Sequence, residues 1–169
     1  MIRSDLLVAM ELFAVAHEYG HHVMRHGVTD TSEEQTPFED EHEADLFARQ
    51  VSLVVGHEGP NEFLNSGAGG AVVLGCIVLV ARANAMLSSG NDIPPPRQRH
   101  PPVPDRMKAL DEYDEKFVSY SQFSAFRSSL LDALDVVWIT VKPKFSDLHR
   151  EGVRPADRDC GPLDWLPLA

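Results

Sequence analysis

The chain has 169 residues, 43% of them apolar and 24% charged. Disorder and collagen-like repetition are therefore excluded as whole-chain descriptions, and one ordinary domain with its own core is expected. The formal net charge of -11 repels phosphate backbones and excludes nucleic acid as a partner. Two cysteines, Cys76 in an apolar run and Cys160 in a polar tail, make neither a disulfide framework nor a cysteine-rich zinc site, which fits a reducing, cytoplasmic setting. The N-terminal stretch carries Glu11 and lacks a small-residue cleavage site, unlike a signal peptide.

Residues 4–26 are expected to form one helix, with Ser4 as N-cap and Gly27 as its stop. Leu7, Met10, Ala14, His17, His21 and Met24 recur at three- and four-residue steps and so share a face. Residues 28–35 form an acidic loop. Thr36-Pro37-Phe38-Glu39 then has the threonine, proline and glutamate spacing of a capping box, so a second helix runs from there to about Val55 and ends at Gly56. A loop is expected over 59–70 and an apolar helix over 71–87. The apolar run 70–81 falls short of the ~20 residues a membrane span needs, so a core helix is expected, with a membrane-surface segment as the alternative. Residues 88–104 hold six of the chain's twelve prolines and serve as a connector. Two further helices are expected over 105–120 and 121–141, the second amphipathic around Phe126, Leu130, Leu134 and Val137. The fold class is therefore mainly α, with a single helical domain over 1–141 and a Pro-rich tail over 142–169. His57 and His149 are expected at the surface.

His17-Glu18-Tyr19-Gly20-His21 is an HExxH pattern on a helix. Residues four apart lie one turn apart on one face, so both imidazoles can meet one ion. Glu18 lies beside them, where it can reach a metal-bound water without ligating the metal; zinc lowers the pKa of that water to ~7. No charge other than Glu18 falls between Glu11 and Arg25, and an isolated glutamate in such a stretch calls for a role. A histidine-bearing core helix is the competing explanation.

A catalytic zinc takes three protein ligands and an open position. The class with a Gly three residues after the second His and a His six after it is excluded, because Met24 and Gly27 stand there. His22 and His26 point roughly 140° and roughly 180° away from His17 at ~100° per residue, so in an unbroken helix neither shares the ion and both are surface or second-layer groups. The third ligand is sought in Glu41-His42-Glu43-Ala44-Asp45. Glu41 and Asp45 share a face; Glu41 ligates while Asp45 accepts the other ring N–H of a ligand histidine. Glu43 competes with Glu41, followed by His42, and Glu39, Asp40 and Glu43 otherwise read as a solvated face. Ala44 leaves room for close helix packing. Eight carboxylates and no Lys or Arg fall within 29–45.

HEYGHHVMRHG over 17–27, followed by EHEAD over 41–45, resembles the gluzincin metallopeptidases of the HtpX and CAAX-prenyl-protease type, in which HExxH is often continued with a pair like Arg25-His26 and followed by ExxAD on a later helix. The segment from His100 to Arg106 resembles that family's HPxxxxR element. The resemblance implies a zinc endopeptidase with His17, His21 and Glu41 as ligands, one Zn2+ per chain, Glu18 as general base, and His100 and Arg106 contacting substrate or the tetrahedral oxyanion. A cation and a donor beside a developing oxyanion suit that role electrostatically; a surface helix start is the plain alternative for this segment. The family places strands before the metal helix and usually has membrane helices. Sixteen residues precede His17 here, too few for that sheet, so a zincin-like core with its upstream β-sheet reduced or absent is expected. A substrate strand would then come from a partner chain or a missing upstream region. Small bacterial peptidases of the ImmA/IrrE or Lit type, acting on a specific intracellular protein, are an alternative, as is a non-catalytic, partner-dependent zinc module. The substrate is a protein or peptide in the enzymatic readings.

Overall fold

The computed structural model describes residues 2–26, 36–59, 61–95, 100–117 and 121–155. Every regular element among them is helical: α1 (Ile2–Val23), α2 (Pro37–Glu58), α3 (Glu62–Asn65), α4 (Ala68–Ser89), α5 (Val103–Phe117) and α6 (Ser121–Arg150). The expected strand-poor, mainly α class is observed. The expected stop at Gly27, the acidic loop 28–35, Cys160 and the end of the tail lie outside the described residues.

α1 lies between α2 and α4, α4 pairs with α6, and α5 touches α2, α4 and α6. Phe13 and Ala16 of α1 meet Ala48 of α2, with Val51 and Val73 against them. Ala71 and Leu74 of α4 meet Met107 and Leu110 of α5, flanked by Leu46, Ile77, Val103 and Leu131. Glycine makes the α1–α4 approach possible: a Cβ on Gly69 would stand 2.2 Å from the Ala9 carbonyl oxygen.

Several boundaries differ from the expected ones for physical reasons. The buried stripe of α1 is Ala9, Phe13, Ala16 and Gly20, while Leu7 is 51% exposed; two neighbouring helices, rather than one, decide which way α1 faces. α2 opens with the expected box, Thr36 N–H donating to Glu39 Oε2 at 2.7 Å and Glu39 N–H to Thr36 Oγ1 at 3.3 Å, but it passes Gly56 to end at Glu58. The expected loop 59–70 contains α3, whose N-cap Asn61 accepts from Phe63 and Leu64 N–H, and the first turn of α4. α4 is long and apolar enough to cross a membrane by length and composition; 39% of its most apolar window is buried within the fold.

The expected tail from 142 is a continuation of α6 to Arg150, through Pro143. Proline removes the bond to the carbonyl four residues back; that residue, Ile139, is 70% exposed, so water can satisfy the freed oxygen. The extension is anchored on the end of α4: Trp138 Nε1–H donates to Asp92 Oδ2 at 2.9 Å, Lys142 lies 3.0 Å from the same oxygen, and His149 Nδ1 meets the Leu87 carbonyl at 2.8 Å. His149 is therefore half-buried and partnered, whereas His57 is exposed as expected. The inward stripe of α6 is Arg127, Leu131, Leu134 and Trp138; Val137 faces outward, and Phe126, partly exposed, lies beside the Phe63 ring of α3. Leu131 and Leu134 enter the space left at Gly75, and this docking rotates the helix away from the expected face.

A buried charged cluster fixes α5. Arg49 donates from Nε and Nη2 to the two oxygens of Asp114 at 2.9 and 3.1 Å and from Nη1 to the Leu64 carbonyl at 3.0 Å. Arg127 donates to Asp114, to Asp111 and to the Ser66 carbonyl. Burying two guanidiniums costs desolvation that only such complete pairing offsets. Its structural effect is to hold α5 on α2, with Arg106 facing the first half of α2.

Candidate metal centre

The site forms where the last turns of α1 cross the first turns of α2. The crossing is close because the residues in contact are small: Ala44 is fully buried, and a Cβ on Gly20 would stand 3.2 Å from the Ala44 Cα. That approach brings the Glu41 carboxylate to the two imidazoles. His17 Nε2 and His21 Nε2 are 3.1 Å apart, His17 Nε2 is 3.7 Å from Glu41 Oε2, and His21 Nε2 is 3.6 Å from Glu41 Oε1. These three residues form a group with one ligand atom each within 4.8 Å of the others, and no other such group exists among the described residues. Of the competitors, Glu43 is exposed and turned to His26, and His42 is outside the group.

The donor set fits a tetrahedral cation. Zinc bonds of ~2.0–2.1 Å give ligand–ligand edges of ~3.3 Å; the two imidazole nitrogens lie near that spacing, and one carboxylate oxygen of Glu41 is within 4.8 Å of both. The ring protons fit as well. His17 Nδ1 lies 3.0 Å from Asp45 Oδ1, close but off the line of an aligned hydrogen bond, and His21 Nδ1 lies 2.8 Å from His26 Nδ1. With each Nδ1 facing a neighbour, the two Nε2 atoms are turned to the same point, the geometry two ligand imidazoles need. Burial lowers the pKa of His21, and the nearby His17 and His26 rings act in the same direction, outweighing Glu41 and Glu18. The shift favours the neutral form that a metal ligand needs.

Asp45 is buried under this layer. Arg106 donates to it twice, from Nε to Oδ2 and from Nη2 to Oδ1, both at 2.6 Å, and reaches Glu41 Oε2 from Nη1 at 3.2 Å. Burial alone would raise the Asp45 carboxyl, but the Arg106 hydrogen bonds and His17 outweigh it and hold it below the ordinary carboxylate value. Burial likewise opposes the charge on Arg106, and Asp45 and Glu41 more than compensate. Arg106 was expected to face an oxyanion. Instead it is 5% exposed with its guanidinium committed to two carboxylates, so it orients Glu41 and Asp45 and is not free to meet substrate. His100 does sit at the rim: its side chain is 46% exposed and its Nδ1 is 2.9 Å from Glu41 Oε1.

Glu18 is exposed on α1 between the two histidines, near enough for its charge to act on His21. His22 is exposed, as expected of one of the two remaining histidines. His26 is the second-layer one. Its side chain is 4% exposed, with Nε2 3.1 Å from Glu43 Oε2 and 3.8 Å from Asp40 Oδ1. The unbroken helix expected through residue 26 would have carried this ring away; α1 ends at Val23 and returns it. Only the Arg25-His26 pair singled out in the sequence pointed to this position.

No family model, no curated protein and no solved structure matches this chain.

Proposed function

We propose that the chain is a zinc-dependent metallopeptidase of the gluzincin type, with a zincin-like core reduced to its helices among the described residues. The observation that carries this reading is the convergence of His17 Nε2, His21 Nε2 and the Glu41 carboxylate at 3.1 to 3.7 Å, beside an exposed glutamate placed by HExxH spacing. Zinc, when bound, polarises a carbonyl and lowers the pKa of water toward ~7. Glu18 takes the proton of the water that adds to the peptide carbonyl and passes it to the departing amine. His100, at the open edge, donates to the carbonyl oxygen as charge builds there. Asp45 and Arg106 hold His17 and Glu41 in place from beneath.

The experiment compares zinc content and casein cleavage for the wild type and Glu18→Gln. Zinc near one per chain in both, with cleavage only in the wild type, is the expected result; cleavage that survives Glu18→Gln refutes the assignment of the base. One observation favours a second reading. A gluzincin holds its peptide on an edge strand, and every regular element among the described residues is helical. Under that reading the chain is a zinc-binding module that works with a partner supplying the strand. Stoichiometric zinc without cleavage by the wild type would establish it in preference to the first.

A further inference from the structure

α1 does not fade out after His21; it is turned back. Arg25 N–H donates to the His22 carbonyl at 3.3 Å and His26 N–H to the His21 carbonyl at 3.0 Å, the paired pattern that closes a helix around one left-handed residue. The residue in that conformation is Arg25, at φ 60, the sole non-glycine with positive φ among the described residues. Glycine or asparagine usually occupies such a position, and a bulky residue there is strained. Strain of this kind persists where the surroundings determine the conformation and clusters where it serves a site. Here its product is the burial of His26 against a residue of the metal group.

The His26 ring is fixed at both nitrogens. Nδ1 faces His21 Nδ1 at 2.8 Å, the two rings lying edge to face with centroids 5.0 Å apart. Nε2 faces Glu43 Oε2 at 3.1 Å, with Asp40 Oδ1 at 3.8 Å. One set of protons satisfies the whole chain of contacts. His21 keeps Nε2 free for the ion and donates Nδ1–H to His26 Nδ1, and His26 donates Nε2–H to Glu43. The two histidines of HExxH thus have different supports: a directly contacting carboxylate, Asp45, for His17, and an imidazole backed by carboxylates for His21.

We propose that His26, backed by Glu43 and Asp40, is a positioning residue that sets the tautomer and orientation of His21 and thereby the zinc affinity of the site. The proposal rests on the reading that His17, His21 and Glu41 hold zinc. Outer partners of this kind contribute about 10–100-fold to metal affinity, so removing the His26 ring should weaken zinc binding by about that factor. Asparagine offers a separate check, since its Oδ1 occupies the place of the imidazole Nδ1 and accepts from His21, whereas leucine keeps the bulk and offers no acceptor.

The test is zinc affinity by competition with a chromophoric chelator, with far-UV circular dichroism to confirm folding, for wild type, His21→Ala, His26→Leu and His26→Asn. Strong binding by wild type, its loss in His21→Ala, about 10–100-fold weakening in His26→Leu and recovery of most of that loss in His26→Asn are expected. If wild type does not bind zinc, or His21→Ala binds as tightly, the metal-site reading itself fails and this proposal with it. If His21→Ala loses zinc while His26→Leu matches wild type, the proposal alone is overturned. Equal weakening in His26→Leu and His26→Asn also overturns it, because the loss would then come from packing. Should His26→Leu not fold, the double variant Asp40→Asn, Glu43→Gln strips the charge from the far ring nitrogen at constant shape; weaker zinc binding is expected, and unchanged binding overturns the proposal.

Discussion

Replacing Arg106 by methionine tests whether the layer under the candidate metal group is a buried ion pair in the energetic sense. Asp45 is 1% exposed and Arg106 5%. The guanidinium makes two contacts of 2.6 Å with Asp45 and one of 3.2 Å with Glu41. Methionine keeps much of the stem and removes the charge, leaving Asp45 buried with only His17 beside it. Removing one partner of a buried pair costs about 3–5 kcal/mol, because the remaining charge keeps its desolvation penalty. At about 2–4 °C per kcal/mol for a chain of this size, the melting temperature of metal-free protein at neutral pH should fall by about 6–20 °C. The pH dependence gives the signature. In the wild type Asp45 titrates below its unfolded value of about 3.9, so its contribution is present above that value and is lost as pH falls through the folded one. In Arg106→Met burial dominates and lifts Asp45 above its unfolded value. The variant's penalty is then full at neutral pH and fades as acid protonates the folded carboxyl. Melting followed by circular dichroism at neutral pH and in mild acid should show the gap between the two proteins narrowing in acid. A loss under about 1 kcal/mol, the value for solvated pairs, or a gap that does not change with pH, would refute the reasoning.

Three further outcomes follow from the same structure. Zinc at about 100 times its dissociation constant should stabilise the fold by about 2.7 kcal/mol, a rise of about 5–11 °C in melting temperature; His21→Ala should abolish the rise, and an equal rise in that variant would place the ion elsewhere. Gly69→Ala should destabilise by about 1–3 kcal/mol although helix propensity favours alanine by about 1 kcal/mol, because the new methyl would stand 2.2 Å from backbone of α1; an unchanged or raised thermal midpoint would contradict it. Asp114→Asn leaves Arg49 and Arg127, each 1% exposed, without their shared anion. Its urea midpoint should fall by the equivalent of about 3–5 kcal/mol with the slope unchanged, and a shift near zero would mean that water reaches the cluster.

What the chain determines by itself is local. The four-residue spacing of His17 and His21 puts two imidazoles on one helical face whatever surrounds them. The Thr36–Glu39 capping box needs only neighbouring backbone, and it starts α2 where expected. The four-residue spacing of Glu41 and Asp45 likewise puts two carboxylates on one face of α2. Tertiary structure decided the rest. Arg106 lies 61 residues from Asp45 along the chain, and whether its charge meets substrate or a buried carboxylate depends on how α5 docks, which no local pattern specifies. The same holds for the inward face of α6, set by the space at Gly75, and for its continuation past residue 141, held by contacts to α4. The course of the chain after His21 is the sharpest case. Periodicity carries the helix on and points His26 away, whereas a left-handed Arg25 and the pull of His21, Asp40 and Glu43 end the helix and bring that ring under the site. A helix stops where the energy of non-local partners exceeds that of one more turn, and those partners exist only once α2 has packed against α1.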